Sequence, residues 1–222
     1  MDNRRSALQH VIYLFRSAVV WSTLAWISPS LAQPPPQLSP HALAEILAPP
    51  SLTPIMGNSH GDVTIVEYFD YACPVCKRTD LELQKLVNGD SKVRIVYKDW
   101  PIFGAVSVYA AYCTFAAAEL KQFPLAHHAL MNVQHRLDSN EVVDAALREA
   151  GLDLGKIKSL IDAHKAQFSE TLTRNDREAT ALRLRGTPGL IIGDVLIGGG
   201  LDYAQMRSLI SKSRHASSIP RP

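Results

Sequence analysis

The feature that most constrains the fold is a pair of cysteines, Cys73 and Cys76, at the junction of a predicted strand and a predicted helix. Residues 63–69 (VTIVEYF) are β-branched and aromatic over the length of a strand. A helix is expected from Pro74 to about residue 87. Proline is tolerated at its start, because N–H groups in the first turn of a helix have no hydrogen-bond partner within the helix. Two cysteines at such a position are typical of half a metal site, a structural link or a redox centre.

The elements that follow predict an α/β protein. Residues 93–98 (VRIVYK) form the next strand, so strand, helix and strand predict a parallel βαβ unit with a right-handed crossover. Residues 190–192 and 195–197 flank a Gly193-Asp194 turn and predict a β-hairpin. Asp202 caps a last helix that is expected to end near residue 212. Between these halves the sequence predicts helices near 105–121, 124–135, 140–149, 154–164 and 166–185.

The N-terminus predicts export from the cytoplasm. Arg4 and Arg5 provide positive charge, residues 17–27 (SAVVWSTLAWI) are mostly apolar, and Ser30-Leu31-Ala32 is a small-residue cleavage site. These features predict a cleaved secretory signal peptide. An uncleaved membrane anchor is the competing interpretation, but Arg16 limits the apolar run to well short of the roughly 20 residues that span a bilayer.

The predicted organisation is one domain with short extensions. Cleavage of the signal peptide at 1–32 leaves 190 residues, which is enough for a sizeable core. Residues 33–60 are rich in proline and predict an exposed arm with one short helix at about 41–47. Residues 61–212 form the domain itself, with a helical insertion at about 105–165, and residues 213–222 are expected to form a flexible tail.

Charge and motif content exclude several classes of function. The chain has 23 basic and 21 acidic residues, of which three arginines and one aspartate precede residue 33, so the mature chain has no formal net charge. A neutral chain argues against a nucleic-acid partner. The sequence has no Walker loop, no GxGxxG motif and no GxSxG elbow, and no cofactor is predicted.

The three interpretations of the cysteine pair differ in what they require elsewhere. Structural zinc takes four Cys or His ligands, and the chain has no second CxxC and no HxxxH motif, so no metal site is predicted. A structural disulfide that closes so short a loop removes little entropy from the unfolded chain. A redox centre is favoured, because the N-terminus of a helix stabilises a thiolate and a second cysteine one turn away can resolve a mixed disulfide.

Two further features lie where redox chemistry needs them. Thr187-Pro188 comes directly before the predicted hairpin, and a cis bond there would leave an open strand edge facing Cys73 to bind extended substrate backbone. A trans turn proline is the alternative. Glu67 is a lone carboxylate in an apolar strand; it faces solvent or, if buried below Cys76, has a raised pKa and exchanges protons.

These motifs together resemble those of the DsbA-like thiol:disulfide oxidoreductases. The segments GDVTIVEYFDYACPVCKR, VYKDWPIFG and GTPGLIIGDVLIGG are most similar to the periplasmic branch that includes ScsC-type proteins. The resemblance implies a thioredoxin-like fold, with βαβ and ββα halves and an inserted helical subdomain. It also implies that Cys73 is the exposed nucleophile, Cys76 the resolving thiol, Thr187-Pro188 the cis-proline substrate clamp and Glu67 the buried acid. Lys98 either pairs with Glu67 or is a solvated lysine at the end of its strand.

The resemblance further implies a periplasmic enzyme that exchanges disulfides with cysteine-containing exported proteins. A membrane quinone-linked oxidase would reoxidise the pair if the enzyme is an oxidase. A membrane thiol reductant would instead keep it reduced in an isomerase or reductase, a function that usually goes with oligomerisation. A third hypothesis is a periplasmic protein that binds Cu(I) through Cys73 and Cys76.

Several residues are expected to tune or to surround the pair. Pro74 and Val75 lie between the cysteines, where DsbA has Pro-His, and valine offers the thiolate neither a hydrogen bond nor a charge. We therefore expect a less acidic Cys73 and a less oxidising disulfide than in DsbA. Cys113 is expected to be a buried free thiol, with an intermolecular disulfide or a modulating role as alternatives. His127-His128 are expected to have surface or packing roles.

Overall fold

The computed structural model describes residues 40–47 and 53–218, so the predicted signal peptide at 1–32 lies outside the described residues. The strands are β1 (Ile55–Gly57), β2 (Val63–Phe69), β3 (Val93–Asp99), β4 (Gly189–Ile192) and β5 (Val195–Gly198). The helices are α1 (Pro40–Leu47), α2 (Pro74–Gly89), α3 (Ala105–Glu119), α4 (Phe123–Met131), α5 (Asn140–Glu149), α6 (Leu154–Ala181) and α7 (Tyr203–Ser218). Among these, no helix is long and apolar enough to cross a membrane.

A five-stranded mixed sheet in the order β1-β3-β2-β4-β5 forms the centre of the fold. β2 and β3 pair in parallel with Val63 opposite Val93, and α2 connects them, which confirms the predicted βαβ unit. The predicted hairpin is also confirmed: β4 and β5 are antiparallel, and β4 pairs with β2. The α/β, thioredoxin-like fold class is therefore confirmed, with the βαβ and ββα halves joined through β2 and β4.

The expected exposed arm at 33–60 needs correction. The short helix is present as α1, but its Ile46 is buried against the sheet, and β1 pairs antiparallel with β3 through Ile55 and Val96. The proline content of the segment hid this strand, because only three residues pair. The first directly follows Pro54, and the third is Gly57, which has a φ of 76°.

The helical region between β3 and β4 differs from the prediction in one respect. Helices near 154–164 and 166–185 were expected, but α6 is continuous from Leu154 to Ala181. Residues 161–170 contain neither glycine nor proline, so nothing in the sequence ends the helix there. The expected boundary of the helical insertion near 165 consequently falls within α6, and one helix serves both the insertion and the sheet.

The expected flexible tail also needs correction, since α7 continues to Ser218. Asp202 accepts a hydrogen bond from the Gln205 N–H at 2.8 Å, as the predicted cap requires. Arg214, which was placed in the tail, forms ion pairs with Asp62 and Asp90, each with an N–O distance of 2.8 Å. Two carboxylates on other elements thus hold the last turns of the helix against the domain.

Alternation along the strands divides the core into two layers. Ile65, Phe69 and Tyr97 belong to the layer formed with α2 and the inserted helices, whereas Tyr68 and Val96 belong to the layer formed with α1 and α6. Successive side chains of a strand point to opposite faces. The residues at the carboxyl ends of β2 and β3 therefore alternate between the two faces of the sheet. α2 begins shortly after the carboxyl end of β2.

Candidate active site

The two cysteines occupy the first turn of α2. Cys73 is its N-cap residue, with extended backbone (φ −80°, ψ 117°), and its Sγ accepts a hydrogen bond from the Cys76 N–H at 3.4 Å. Pro74 occupies the first helical position, where it forfeits no hydrogen bond. Both cysteines are at least 98% buried, so the expectation of an exposed Cys73 was wrong, and both are free thiols.

The two thiols have opposite acid strengths. Hydrogen bonding from the Cys76 thiol, together with contacts to Thr187 and the N–H groups of Cys76 and Val75, outweighs burial and lowers the pKa of Cys73 to about 6. Burial, the hydrogen bond with Cys73 and the charge of Glu67 together raise the pKa of Cys76. At neutral pH the pair therefore consists of a Cys73 thiolate and a Cys76 thiol.

Thr187-Pro188 lies directly against the reactive sulfur. The peptide bond is cis, and Cys73 Sγ lies 3.4 Å from the Thr187 carbonyl oxygen, to which the protonated thiol donates. A groove of about 520 Å³ begins here and is lined by residues 182–188, Leu196, Gly198 and Gly199. The predicted proximity of this segment to Cys73 is thus present.

Val75 completes this side of the site. A Cβ on Gly200 would lie only 3.1 Å from Val75 Cγ1 and 2.6 Å from Thr79 Oγ1, so the backbone at Gly200 passes directly over the start of α2. Gly200 precedes α7 and lies within 4.0 Å of Pro188 by the same measure. The sequence signal for this contact was the glycine run at 198–200, which the hairpin alone does not require.

Glu67 is fully buried, and its two carboxylate oxygens have no hydrogen-bond partner within the described part of the chain. Burial raises its pKa well above 4.5, and the negative charges of Asp80, Cys73 and Asp99 act in the same direction. Of the two expected environments, burial is the one observed.

Lys98 lies on the other face of the sheet, so both expectations for it were wrong. It is buried, and its Nζ pairs with Glu178 of α6, which also accepts a hydrogen bond from the Tyr68 hydroxyl at 2.9 Å. The register explains this result: Glu67 stands opposite Tyr97, while Lys98 stands opposite Tyr68. Neighbouring positions on a strand cannot share a face.

Asp70 connects two loops at the site, a role that sequence reasoning missed. Its carboxylate accepts hydrogen bonds from the Ala72 N–H at 2.7 Å and from the N–H groups of Ile102 and Phe103 at 2.8 and 3.0 Å. It therefore ties the loop before Cys73 to the loop after β3. An aspartate at the end of a strand, two residues before a turn, was the available signal.

Two further buried polar residues, Asp80 and Asp99, were also missed, and His127, for which a surface or packing role is expected, is buried. His127 Nε2 lies 3.0 Å from Asp80 Oδ1, and its Nδ1 lies 2.9 Å from the Tyr71 hydroxyl. Burial raises the pKa of Asp99, helped by the charge of Asp70. By contrast, Cys113 is buried as expected, and burial raises its pKa to about 12.

Within residues 40–47 and 53–218, no group of three or more His, Cys, Asp and Glu side chains is arranged to hold a metal ion. What the site does contain is an acidic thiol next to a weakly acidic one, with a buried carboxyl and a cis-proline segment nearby. This arrangement suits thiol–disulfide exchange, in which one sulfur attacks or leaves as a thiolate and the other accepts a proton.

The fold and this thiol pair define a thioredoxin-like protein. The family model described as Thioredoxin matches residues 51–212, and the chain belongs to that family. The match covers the whole sheet, the cysteine pair and the cis-proline segment. With the neighbours described next, it identifies a DsbA-like member of the thioredoxin superfamily.

Solved structures with the same fold support this assignment. A thioredoxin-like oxidoreductase from Silicibacter pomeroyi is 31% identical with a TM-score of 0.73, and the match covers 80% of this chain and 99% of that one. The catalytic domain of Proteus mirabilis ScsC is 28% identical with a TM-score of 0.69, covering 78% and 97%. The thiol-disulfide exchange protein alpha-DsbA2 from Wolbachia pipientis is 25% identical with a TM-score of 0.71, covering 78% and 91%.

Curated relatives are more distant. Na(+)/H(+) antiporter NhaA 1 of Mycolicibacterium vanbaalenii is 24% identical over 163 residues, or 72% of this chain, but the chain spans only about a quarter (26%) of that protein. Disulfide bond formation protein D of Bacillus subtilis is 25% identical over 171 residues, covering 72% of this chain and 76% of that protein.

Proposed function

We propose that the protein is a periplasmic thiol:disulfide oxidoreductase that exchanges disulfides with exported proteins through its Cys-Pro-Val-Cys centre. The observation that carries this proposal is the opposite acid strength of the two thiols, with the pKa of Cys73 lowered to about 6 and that of Cys76 raised. A thiol that is ionised at neutral pH is both a good nucleophile and a good leaving group.

In the oxidising direction, a substrate thiolate attacks Cys73 Sγ of the Cys73–Cys76 disulfide. The bond between the cysteines breaks, and Cys76 leaves with the electron pair while Cys73 is held in a mixed disulfide. A second substrate thiolate then attacks the substrate sulfur of that bond, and Cys73 leaves as a thiolate stabilised at the start of α2. The substrate loses two electrons, which the protein holds as its dithiol.

Glu67 is the proposed proton carrier for Cys76. Burial raises the pKa of Glu67 towards the range in which a carboxyl can exchange protons, and the charge of Glu67 raises the pKa of Cys76. When Cys76 leaves as a thiolate in this buried site, proton transfer from Glu67 removes a charge that burial disfavours. In the reverse direction Glu67 takes the proton back.

The substrate is proposed to be an unfolded polypeptide that lies along the cis-proline segment. Thr187 and Pro188 line a groove, and the Thr187 carbonyl also contacts Cys73 Sγ. The N–H groups of Ile102 and Phe103 are tied by Asp70 to the cysteine loop. The side chains of Ile102 and Phe103 are 43% and 53% exposed. Exposed apolar side chains beside a reactive thiol suit apolar segments that a folded protein would bury.

A membrane redox partner is proposed to restore the pair after each exchange. The structural neighbours include a periplasmic thioredoxin-like protein from Salmonella enterica serovar Typhimurium, 28% identical with a TM-score of 0.68, which supports a periplasmic location. A partner that accepts electrons from the dithiol makes the protein an oxidase, and one that donates them makes it an isomerase or reductase.

The test is oxidation of a reduced, unfolded protein by the oxidised enzyme, followed by substrate thiol loss. The wild type should transfer one disulfide per molecule, and Cys73→Ala should transfer none. A Cys73→Ala variant with full activity would refute the proposal, as would tight Cu(I) binding without exchange. The redox state of the pair in cells then decides the direction: mostly disulfide indicates an oxidase, and mostly dithiol indicates an isomerase or reductase.

A further inference from the structure

His127 is a buried polar residue with more contacts than a simple packing role requires. It comes from α4, one of the inserted helices, yet it is fully buried next to the cysteine loop. Its ring lies within 5.5 Å, centroid to centroid, of four aromatic rings, those of Phe69, Tyr71, Tyr97 and Phe123. A polar ring enclosed in this way needs partners for both nitrogens.

Both ring nitrogens of His127 have hydrogen-bond partners. In the sequence, one partner precedes the cysteine pair and the other follows it. Asp80 stands one helical turn after Cys76 on α2, and its Oδ1 lies 3.0 Å from Nε2. Tyr71 stands two residues before Cys73, and its hydroxyl lies 2.9 Å from Nδ1. When Nε2 donates to the carboxylate, Nδ1 is free to accept from the tyrosine hydroxyl.

The segment that Tyr71 belongs to is held by two kinds of hydrogen bond. The Asp70 carbonyl accepts from the Cys73 N–H at 3.0 Å, and its carboxylate accepts from the Ala72 N–H, and these bonds lie within the loop itself. The Asp70 carboxylate also accepts from the Ile102 and Phe103 N–H groups, which ties the segment to another loop but to no helix. The Tyr71 hydroxyl, by contrast, ties the loop to a helix that is anchored independently through Phe123, Ala126 and Leu130 in the core.

We propose that His127 is a positioning residue of the active site, which through Tyr71 and Asp80 holds Cys73 against the N-terminus of α2. The benefit of this positioning to the enzyme rests on the proposed function, whereas the test of it does not depend on disulfide exchange. The acid strength of Cys73 depends on contacts whose geometry the loop sets, such as the 3.4 Å from its Sγ to the Cys76 N–H. A loop displaced from this position weakens those contacts. The inserted helices thereby contribute directly to the chemistry of the thiol pair.

The test measures the thiolate of Cys73 directly, through its alkylation rate by iodoacetamide from pH 4 to 10. Tandem mass spectrometry of the peptides identifies the alkylated cysteine, so that Cys76 and Cys113, which are also buried and whose pKa values are raised, are distinguished from Cys73. His127→Leu and Tyr71→Phe each remove one side of the contact, and each should shift the profile upward by about one pH unit. At pH 6, where about half of Cys73 is ionised, alkylation should then fall about fivefold, while the rate at pH 10 should not change.

Two further variants separate positioning from general loss of structure. His127→Gln keeps an acceptor for Tyr71 and a donor for Asp80, so its profile should return to within twofold of the wild type. The double variant His127→Leu/Tyr71→Phe should be no slower than the slower single variant, because both act through one contact. His128→Leu is the matched control, since His128 is the exposed neighbour, and its profile should match the wild type.

The proposal is wrong if His127→Leu and Tyr71→Phe lower the melting temperature but leave the alkylation profile on the wild-type curve. Additive shifts in the double variant would contradict it as well. If His127→Leu does not fold, Tyr71→Phe decides alone, because it removes a single hydroxyl and keeps the ring contacts. Alkylation needs no protein substrate, so a failure of disulfide exchange would count against the proposed function and not against this inference.

Discussion

The two faces of the sheet differ in how they accommodate buried ionisable side chains near the carboxyl ends of β2 and β3. On one face, Lys98 neutralises Glu178, and Tyr68 donates to the same carboxylate. On the other face, Glu67 and Asp99 lie beneath the thiols, and their carboxylate oxygens have no hydrogen-bond partner within the described residues. We call these the paired face and the thiol face.

The difference indicates which face is structural and which is chemical. A buried ion pair with its hydrogen bonds satisfied changes little over the neutral pH range, so the paired face can anchor α6 to β3 without chemical consequence. Burial is the main cause that raises the pKa values of Glu67 and Asp99 above their ordinary range. A carboxyl whose pKa is raised is better suited to exchange a proton with a leaving thiolate.

The largest expected effect is on the thiol face. Cys73→Ser should abolish exchange with a reduced protein substrate, a loss of at least about a thousandfold. Cys76→Ser, given a substrate protein that carries a disulfide, should instead accumulate a mixed disulfide: the Cys73 thiolate attacks that disulfide, one substrate thiolate leaves, and no second cysteine resolves the bond, so a covalent adduct is visible on a non-reducing gel. In the wild type, attack by reduced Cys73 on a small disulfide should be half-maximal near pH 6 and level off about one to two pH units higher. Equal activity of Cys73→Ser and the wild type would contradict the assignment of the nucleophile.

The second effect belongs to the paired face. Lys98→Met leaves Glu178 with the more distant Arg174, whose Nε lies 4.0 Å from its Oε1, and should lower the free energy of unfolding in urea by about 2–3 kcal/mol, since Glu178 keeps some contact with solvent. Lys98→Met/Glu178→Gln removes both charges and should recover part of that loss. The pKa of Cys73 should not change in either variant. A shift of about one unit in that pKa would show that the two faces are not separate.

Much of this division was predictable from the sequence, and the exception shows why the rest was not. The βαβ unit, the hairpin and the thiol pair follow from strand composition, turn residues and the CxxC spacing, all of which are local signals. The partner of Lys98 is not local: it depends on β2 and β3 being in register and on an α6 residue 80 positions away. In this register, the alternation of side chains along β2 and β3 places Glu67 and Lys98 on opposite faces of the sheet, so they cannot pair.

His127 and Asp80 illustrate a second limit. Each stands in a helix with an ordinary amphipathic pattern, and only the packing of α4 against α2 brings them together. The N-terminal arm was misread for a related reason, since β1 forms only because the edge of β3 was available for pairing. Contacts between elements distant in sequence carry no mark in a single sequence.

The third effect tests the unpaired carboxyl. Glu67→Gln should slow the release of Cys76 by about tenfold at pH 7, because the amide has no acidic proton. It should also stabilise the protein as pH rises. The folded-state pKa of Glu67 is raised, so its favourable contribution is complete below about pH 4.5 and is lost as pH rises above that value. Glutamine has no such loss, so the stability of the variant relative to the wild type should grow from pH 4 to 8.

Urea unfolding of the reduced proteins at several pH values measures this difference. Glu170→Gln on the exposed side of α6 is the matched control, and its difference from the wild type should not vary in the same way. A constant difference for Glu67→Gln across the range would mean that Glu67 has an ordinary acidity in the folded protein.

The smallest effect concerns the rim of the thiol face, where Ile102 and Phe103 project from a loop tied to Asp70. Phe103→Ser removes an exposed apolar side chain that is proposed to contact unfolded substrates, so kcat/KM for a reduced, unfolded protein should fall about three- to fivefold, with KM changing more than kcat. The rate with glutathione disulfide should not change, because that substrate is too small to reach the loop from Cys73. Leu81→Ser, an equally exposed apolar residue on α2, is the matched control and should leave both rates unchanged. A Phe103→Ser variant that loses activity equally with both substrates would indicate damage to the thiol pair through Asp70, and the apolar rim would then have no part in substrate choice.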